Sequence, residues 1–253
     1  MKDMSRRSFL KAGTAATAAL AMAPADVLGK AKAKKKAQTG KIKILAVGVG
    51  GRGHAVINGI TFKGKDEIYD DIEFIGMCDV DQKYAKGVID KYQKLFPNMK
   101  VYNDYKKMYA ELLDQADAVV CGTADHTHAI ISAEALAAKK HVYCEKPLTR
   151  TVYESRLLTK LAAQAGVATQ MGNQGASGEG VNLACEWLWN GEIGEVTRVD
   201  AFTDRPIWPQ GLERPTEEHE IPSTLNWDAF IGPAPKRPYN SIYHPWNFRG
   251  WWD

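Results

Sequence analysis

The sequence predicts an α/β fold built on a doubly wound parallel sheet, followed by the start of an incomplete α+β second domain. Three observations carry that prediction. An apolar, partly β-branched run over residues 42–47 ends in the spaced glycines Gly48, Gly50 and Gly53. Short apolar runs then alternate with helix-length amphipathic ones, and this β-α-β-α order with short connections requires a parallel sheet with helices on its faces. Polar residues gather at the ends of the apolar runs, where sheets of this kind bind ligands.

The chain has 253 residues, 45% of them hydrophobic and 25% charged, which is globular composition with room for one large domain or two small ones. Its formal charge of +3 comes from the beginning of the chain. Residues 1–40 hold nine Lys/Arg and two Asp/Glu, which leaves 24 basic and 28 acidic residues in the body, a net of about −4. No nucleic-acid partner is expected.

Those first forty residues read as a targeting segment and linker. Ser5-Arg6-Arg7-Ser8-Phe9-Leu10-Lys11 precedes an Ala/Thr/Leu-rich run over 12–23 and small residues around Ala25. A twin arginine before a short, mildly apolar core is the signature of twin-arginine export, and the core is too short to span a bilayer. The expected partner is the export machinery and the expected destination the periplasm or beyond, with no stable membrane anchor. Cleavage is expected near Ala25, and the lysine-rich 30–36 stretch reads as a solvated linker.

From residue 41 the elements follow in order. Gly48, Gly50 and Gly53 make G-x-G-x-x-G where the first strand turns into a helix expected over 54–62. Such glycines permit a tight turn, close approach of a pyrophosphate and close helix packing, and the helix N-terminus presents free N–H groups to phosphate. This is the Rossmann-type arrangement. A second strand over 72–77 leads into Cys78-Asp79-Val80-Asp81. Asp79 is placed to accept hydrogen bonds from the adenosine ribose and to repel a 2′-phosphate, which favours NAD over NADP; the bland alternative is an acidic turn residue. Its separation from Gly48, 31 residues, is long, and the polar insert at 63–71 accounts for the excess.

A helix is expected over 82–95 with Tyr84, Val88, Tyr92 and Leu95 inward, and another after Tyr105 as far as residue 113. Strands over 116–122 and 141–144 flank a helix over 129–139, and end in Thr123-Ala124-Asp125-His126-Thr127-His128 and Glu145-Lys146-Pro147. Thr151 and Glu154 form a capping box that opens a helix over 152–165. A strand over 167–172 releases Asn173 and Gln174. An amphipathic helix over 180–189 stops at Asn190-Gly191. Residues 196–203 read as a strand, and Pro/Trp-rich segments follow. The expected division is 41–175 for the nucleotide-binding domain and 176–253 for the beginning of a substrate and oligomerisation domain, in which too few strands remain to complete a sheet. Cys78, Cys121, Cys144 and Cys185 lack metal-ligand spacing and read as buried small hydrophobes, so no metal is expected.

In this order the motifs resemble those of the Gfo/Idh/MocA family, oxidoreductases related to glucose–fructose oxidoreductase and inositol dehydrogenase. The resemblance runs from about residue 41 to 253. It rests on G-x-G-x-R-G at 48–53, Cys-Asp-Val-Asp at 78–81, Tyr-Asn-Asp-Tyr at 102–105, the His126/His128 loop and, most specifically, Glu145-Lys146-Pro147. It implies that Gly48, Gly50, Gly51, Arg52, Gly53, Asp79, Thr123, His126, Glu145, Pro147, Asn173 and Gln174 form the cofactor site. Lys146 would contact the substrate hydroxyl beside the nicotinamide as the catalytic residue. Hydride transfer from a carbinol carbon needs the hydroxyl proton removed and the developing negative charge stabilised, and an ammonium beside the cofactor can supply that stabilisation. For His126, capping a helix is as good a reading; His128 reads as a helix-start residue.

One departure matters. Family enzymes carry a downstream Asp-x-Gly-x-His-type segment whose histidine is the usual acid/base, and Asp253 precedes any such segment; neither His219 nor His244 stands in that pattern. The sequence is therefore expected to be a piece of a longer protein, the alternative being a natural short form. His244 and Arg249 are candidate substrate residues. Trp208, Trp246, Trp251 and Trp252 either stack on sugar rings or pack between domains. Three readings follow: an exported NAD-dependent oxidoreductase acting on a carbohydrate or cyclitol hydroxyl, homo-oligomeric when full length; an NAD-dependent glycosidase using transient sugar oxidation; and a non-catalytic nucleotide-binding protein.

Overall fold

The computed structural model describes residues 40–65 and 67–251. The twin-arginine segment, its linker and Trp252 lie outside the described residues. Six parallel strands form one sheet: β1 (Ile42–Val47), β2 (Ile72–Cys78), β3 (Lys100–Tyr102), β4 (Ala118–Cys121), β5 (His141–Glu145) and β6 (Thr169–Gly172), in the order β3-β2-β1-β4-β5-β6. This is the doubly wound order, with the strand direction of travel reversing at β1 and leaving a crevice beside its carboxyl end.

The two faces of β1 explain its sequence. Successive side chains alternate across a strand, so Ile44 and Ala46 enter one core while Leu45 and Val47 enter the other. The first core packs α1 (Gly51–Thr61) and α2 (Gln82–Leu95) on the sheet through Val56, Ile57, Ala85, Ile89 and Tyr92. The second packs α3 (Tyr105–Leu112), α4 (His128–Ala137) and α5 (Val152–Ala165) through Met108, Tyr109, Ile131, Ala135 and Leu158. A strand buried on both faces must be apolar throughout, which is why β1 shows no alternation in its second half.

Three expectations change. In α2 Tyr92 is buried as expected and Val88 and Leu95 pack partly buried against the same core, but the fully buried companions are Ala85 and Ile89, and Tyr84 stays 41% exposed; the small Ala85 lets the helix approach the sheet and leaves Tyr84 against the glycine turn. The three-residue β3 went unforeseen because so short a run has no periodicity. Residues 196–203 form no strand, since among the described residues that segment finds no ladder partner. α6 (Glu179–Trp189) does form, but buries none of its residues.

A third apolar cluster lies over the strand tips. Leu225, Trp227, Phe230, Ile231, Tyr239 and Tyr243 bury one another and reach Val80 and Ala124. α7 (Trp227–Ile231) is capped by Asn226, whose side chain accepts from the Ala229 N–H. The segment 224–251 is fastened across the sheet edge at several strands. Asn226 N–H donates to Val80 O at 2.8 Å and Gln82 N–H to Thr224 O at 3.1 Å, while the Asn226 amide donates to Asn103 O at 3.1 Å. These are the tips of β2 and β3; Asp125 and His126, just past β4, hold the far end.

Candidate active site

Three backbones meet at the glycine turn. Gly48 has φ +75° and an added Cβ there would lie 2.6 Å from the Thr123 nitrogen; one on Gly53 would fall on the Gly48 carbonyl oxygen; one on Gly122 would lie 2.8 Å from the Gly53 Cα. The motif glycines thus let α1 lie against β1 and the β4 loop. Gly122 is a member of that contact that motif spacing alone does not reveal.

Asp79, at the tip of β2, is buried. Its Oδ2 accepts from the Val49 and Gly50 N–H groups at 2.9 Å each, and Oδ1 from Asp81 N–H at 3.1 Å. Burial pushes its carboxyl above the usual range against the pull of these three N–H groups. A carboxylate has about four acceptor positions, so one remains for a ligand hydroxyl. Arg52, in the first turn of α1, donates from Nε to Glu145 Oε1 at 3.2 Å, and Tyr143 donates to the same oxygen at 3.1 Å. The Glu-Lys-Pro turn and the glycine turn are therefore tied together on one sheet edge. Glu145 Oε2 is buried and without a partner.

Between the glycine turn and the 224–251 segment lies a cavity of about 480 Å³, whose lining includes Gly48, Gly50, Gly51, Arg52, Asp79, Thr123, His244 and Arg249. Tyr84 lies against Gly50, and Trp246 comes within 3.4 Å of where a Gly51 Cβ would be. Glycines without room for Cβ and an acceptor position left on Asp79 fit a dinucleotide with its phosphates at the N-terminus of α1, while Glu145 does not line this cavity.

The remaining expected site residues are distributed unevenly. His126 does not line this cavity: its Nε2 lies 2.7 Å from Phe230 O and its ring stands edge-on to Phe230 and Phe248, so it fastens the covering segment and faces a second cavity with Pro147. Burial lowers its pKa. Asn173 and Gln174 are exposed beyond β6 and line neither cavity, and Lys146 is exposed at the tip of β5 and likewise lines neither. His244 is half-buried with Nδ1 3.8 Å from Asp81 Oδ2, and burial lowers its pKa against the pull of Asp81. Arg249 donates to Asp125 Oδ2 at 2.6 Å.

His128 opens α4, as expected, and does more: its Nδ1 and Nε2 lie 2.7 and 3.1 Å from Pro147 O and Thr123 O, linking the β4 and β5 loops. Cys78, Cys121 and Cys144 are buried and Cys185 partly so. The register pair Cys121 and Cys144 brings sulfur atoms and a His128 nitrogen within 4.8 Å of one another, a grouping that sequence spacing did not suggest. Both histidine nitrogens are committed to carbonyl oxygens.

The comparisons with known proteins bear on the family and the fold. A family model described as the oxidoreductase family, NAD-binding Rossmann fold, matches residues 42–173, and one for the C-terminal alpha/beta domain of the oxidoreductase family matches 190–253. A twin-arginine translocation signal matches residues 3–23; no helix among the described residues is long and apolar enough to cross a membrane. An uncharacterized oxidoreductase of Schizosaccharomyces pombe is 32% identical over 125 residues, 49% of this chain and 33% of that protein. Inositol 2-dehydrogenase of Salmonella typhimurium is 27% identical over 129 residues, 51% of this chain and 37% of that one. A glycosyl hydrolase family 109 protein of Shewanella baltica is 29% identical over 170 residues, 61% and 36% respectively. The match thus spans about a third of the length of these relatives. Among solved structures, scyllo-inositol dehydrogenase from Lactobacillus casei with bound NAD(H) and scyllo-inositol superposes with a TM-score of 0.52 at 23% identity, over 62% of this chain and 43% of that one, a likeness of fold.

Proposed function

The chain belongs to the Gfo/Idh/MocA oxidoreductase family, and from that premise we propose that it moves a hydride between NAD and a carbohydrate or cyclitol hydroxyl after export by the twin-arginine route. The observation that carries the reading is Asp79, buried at the tip of β2, bound to the glycine turn and lining the cavity with an acceptor position to spare. A carboxylate there accepts ribose hydroxyls and repels a 2′-phosphate, which supports NAD over NADP. When bound, the nicotinamide supplies the hydride acceptor.

The chain's own groups do the rest. The N–H groups at the start of α1 hold phosphate, Arg52 and Glu145 fix the spacing between the glycine turn and β5, and the 224–251 segment excludes water from the crevice. Lys146, one residue past Glu145, steadies the developing alkoxide as an ammonium, or as the neutral amine accepts the substrate hydroxyl proton and becomes the ammonium. Outside the cytoplasm free dinucleotide is scarce, so the cofactor is held tightly and recycled within the site, in a homo-oligomer of the whole protein. Denaturing the purified protein and weighing the released ligand tests this: NAD is expected, and recovery of no dinucleotide refutes it.

The match to a glycosyl hydrolase family 109 protein favours a second reading, in which the same hydride transfer is transient and serves cleavage of a glycoside. Solvent deuterium at the sugar C2 without net NADH formation would select it.

A further inference from the structure

The cysteines take no part in the hydride chemistry, yet two of them stand together. Cys121 ends β4 directly beside Cys144 of β5 in the ladder register, and both side chains enter the same core. Neighbouring strands run about 4.8 Å apart, inside the roughly 4.4–6.8 Å Cα···Cα span that a disulfide bridges. The two sulfur atoms and a His128 nitrogen lie within 4.8 Å of one another, which puts closure of the pair within reach of side-chain rotation. Both ring nitrogens of His128 face carbonyl oxygens, at 2.7 and 3.1 Å, and a ring that donates to both carries a positive charge. A hydrogen bond from Cys144, the His128 charge and the Thr123 hydroxyl and N–H hold the Cys121 thiol below its ordinary range against its burial, while Cys144 is pushed up. Cys78, equally buried, is pushed up by that burial and by Asp79 and Asp104. The Thr123 hydroxyl lies 3.4 Å from the Cys121 sulfur, and Gly122 and Thr123 line the main cavity, so the pair sits just behind the wall of that crevice.

We infer that Cys121 and Cys144 are an oxidation site, a dithiol that hydrogen peroxide entering from the crevice converts to a disulfide. The thiolate is the reactive form of a cysteine. The Cys121 thiolate attacks one peroxide oxygen, the O–O bond breaks, and hydroxide leaves, recovering as water the proton that the thiol gave up; the sulfur is now a sulfenic acid. The Cys144 sulfur attacks that sulfur, the S–O bond breaks as the S–S bond forms, and the departing hydroxide takes the Cys144 proton. The two thiols lose two electrons in all, and one peroxide becomes two waters.

The test is to treat the reduced full chain, freed of reductant, with equimolar hydrogen peroxide, alkylate it under denaturing conditions and map its peptides by mass spectrometry. A Cys121–Cys144 cross-linked peptide, reversed by dithiothreitol, is expected to form about tenfold or more faster than Cys185 is oxidised, although Cys185 is the more exposed of the three. Cys121→Ser should slow oxidation of Cys144 by a similar factor. Cys121 and Cys144 both still alkylated when Cys185 is oxidised, a bridge that includes Cys78 or Cys185 instead, or oxidation of Cys144 at an unchanged rate in Cys121→Ser overturns the inference. The map of the unsubstituted chain decides by itself where the serine variant fails to fold.

Discussion

Hydrogen is all that Gly53 can carry, because a methyl group would fall on the Gly48 carbonyl oxygen. Gly59, two turns along the same helix, faces open space. Gly53→Ala is therefore expected to destabilise the fold by about 3 kcal/mol or more, through backbone displacement in a packed site, and to abolish dinucleotide binding. Gly59→Ala should stabilise it by ~0.5–1 kcal/mol, the helix-propensity difference. Denaturant melts of the two variants check both signs. Lys146 makes the opposite kind of prediction, since it is exposed and supports no core. Lys146→Ala should leave the melting curve and NAD retention unchanged while lowering turnover by about 10²–10⁴-fold, the usual range for a lost acid–base group; unchanged turnover in a full-length protein would leave the residue without a catalytic role. The glycines and Asp79 were legible in the sequence because their signal is local. Gly122 was not, because its partner, Gly53, lies far away in the chain.

Helix α5 shows how much of an element local chemistry can specify. Thr151 accepts from Glu154 N–H at 3.2 Å while the Glu154 carboxylate accepts from Thr151 N–H at 2.9 Å, and Gly166 closes the helix at φ +65°. Both ends are written in neighbouring residues, and the expected bounds, 152–165, are the observed ones. Thr151→Ala should cost about 1 kcal/mol by leaving helix N–H groups unsatisfied, measurable as a lower denaturation midpoint with unchanged slope. Helix α2 has equally clear bounds, but its deepest face differs from the expected one at Tyr84. Two stripes, 84-88-92-95 and 85-89-92, share Tyr92, and periodicity alone does not choose between them. The choice is made by what the helix packs against: Phe74 in β2 meets Tyr92 edge-on at 5.4 Å, and Tyr84 is left to cover Gly50. Residues 196–203 illustrate the converse, a strand-like run whose ladder depends on partners that the described residues do not provide.

At the scale of the molecule, the carboxyl edge of the sheet is closed by a segment more than fifty residues further along the chain than β6. Its centre is Trp227, which stacks on Phe230 at 5.2 Å and meets Tyr239 edge-on at 5.1 Å. Trp227→Ala should remove about 3–5 kcal/mol from that cluster, seen as protease cleavage within 225–251 and weaker dinucleotide binding, with the sheet intact. Acid should act at the same place. Burial holds His126 and His244 below their ordinary pKa, so below pH 6.5 the unfolded chain takes up more protons than the folded one. Their share of stability is complete above pH 6.5 and falls away as pH drops through the lowered values. Tryptophan emission compared at pH 7 and pH 5 should report loosening of the segment, and His126→Gln should reduce that response. None of these fastenings could be read from the sequence, where the Trp/Pro-rich texture after residue 205 marked a change of structure but not what it would cover. The fastenings also fix a sequence of events. Residues 224–251 emerge from the ribosome after every strand they span, so a nucleotide arriving early in synthesis meets an open ledge, which this segment then covers. A pocket covered in that order is filled by whichever nucleotide is present while the segment is being made.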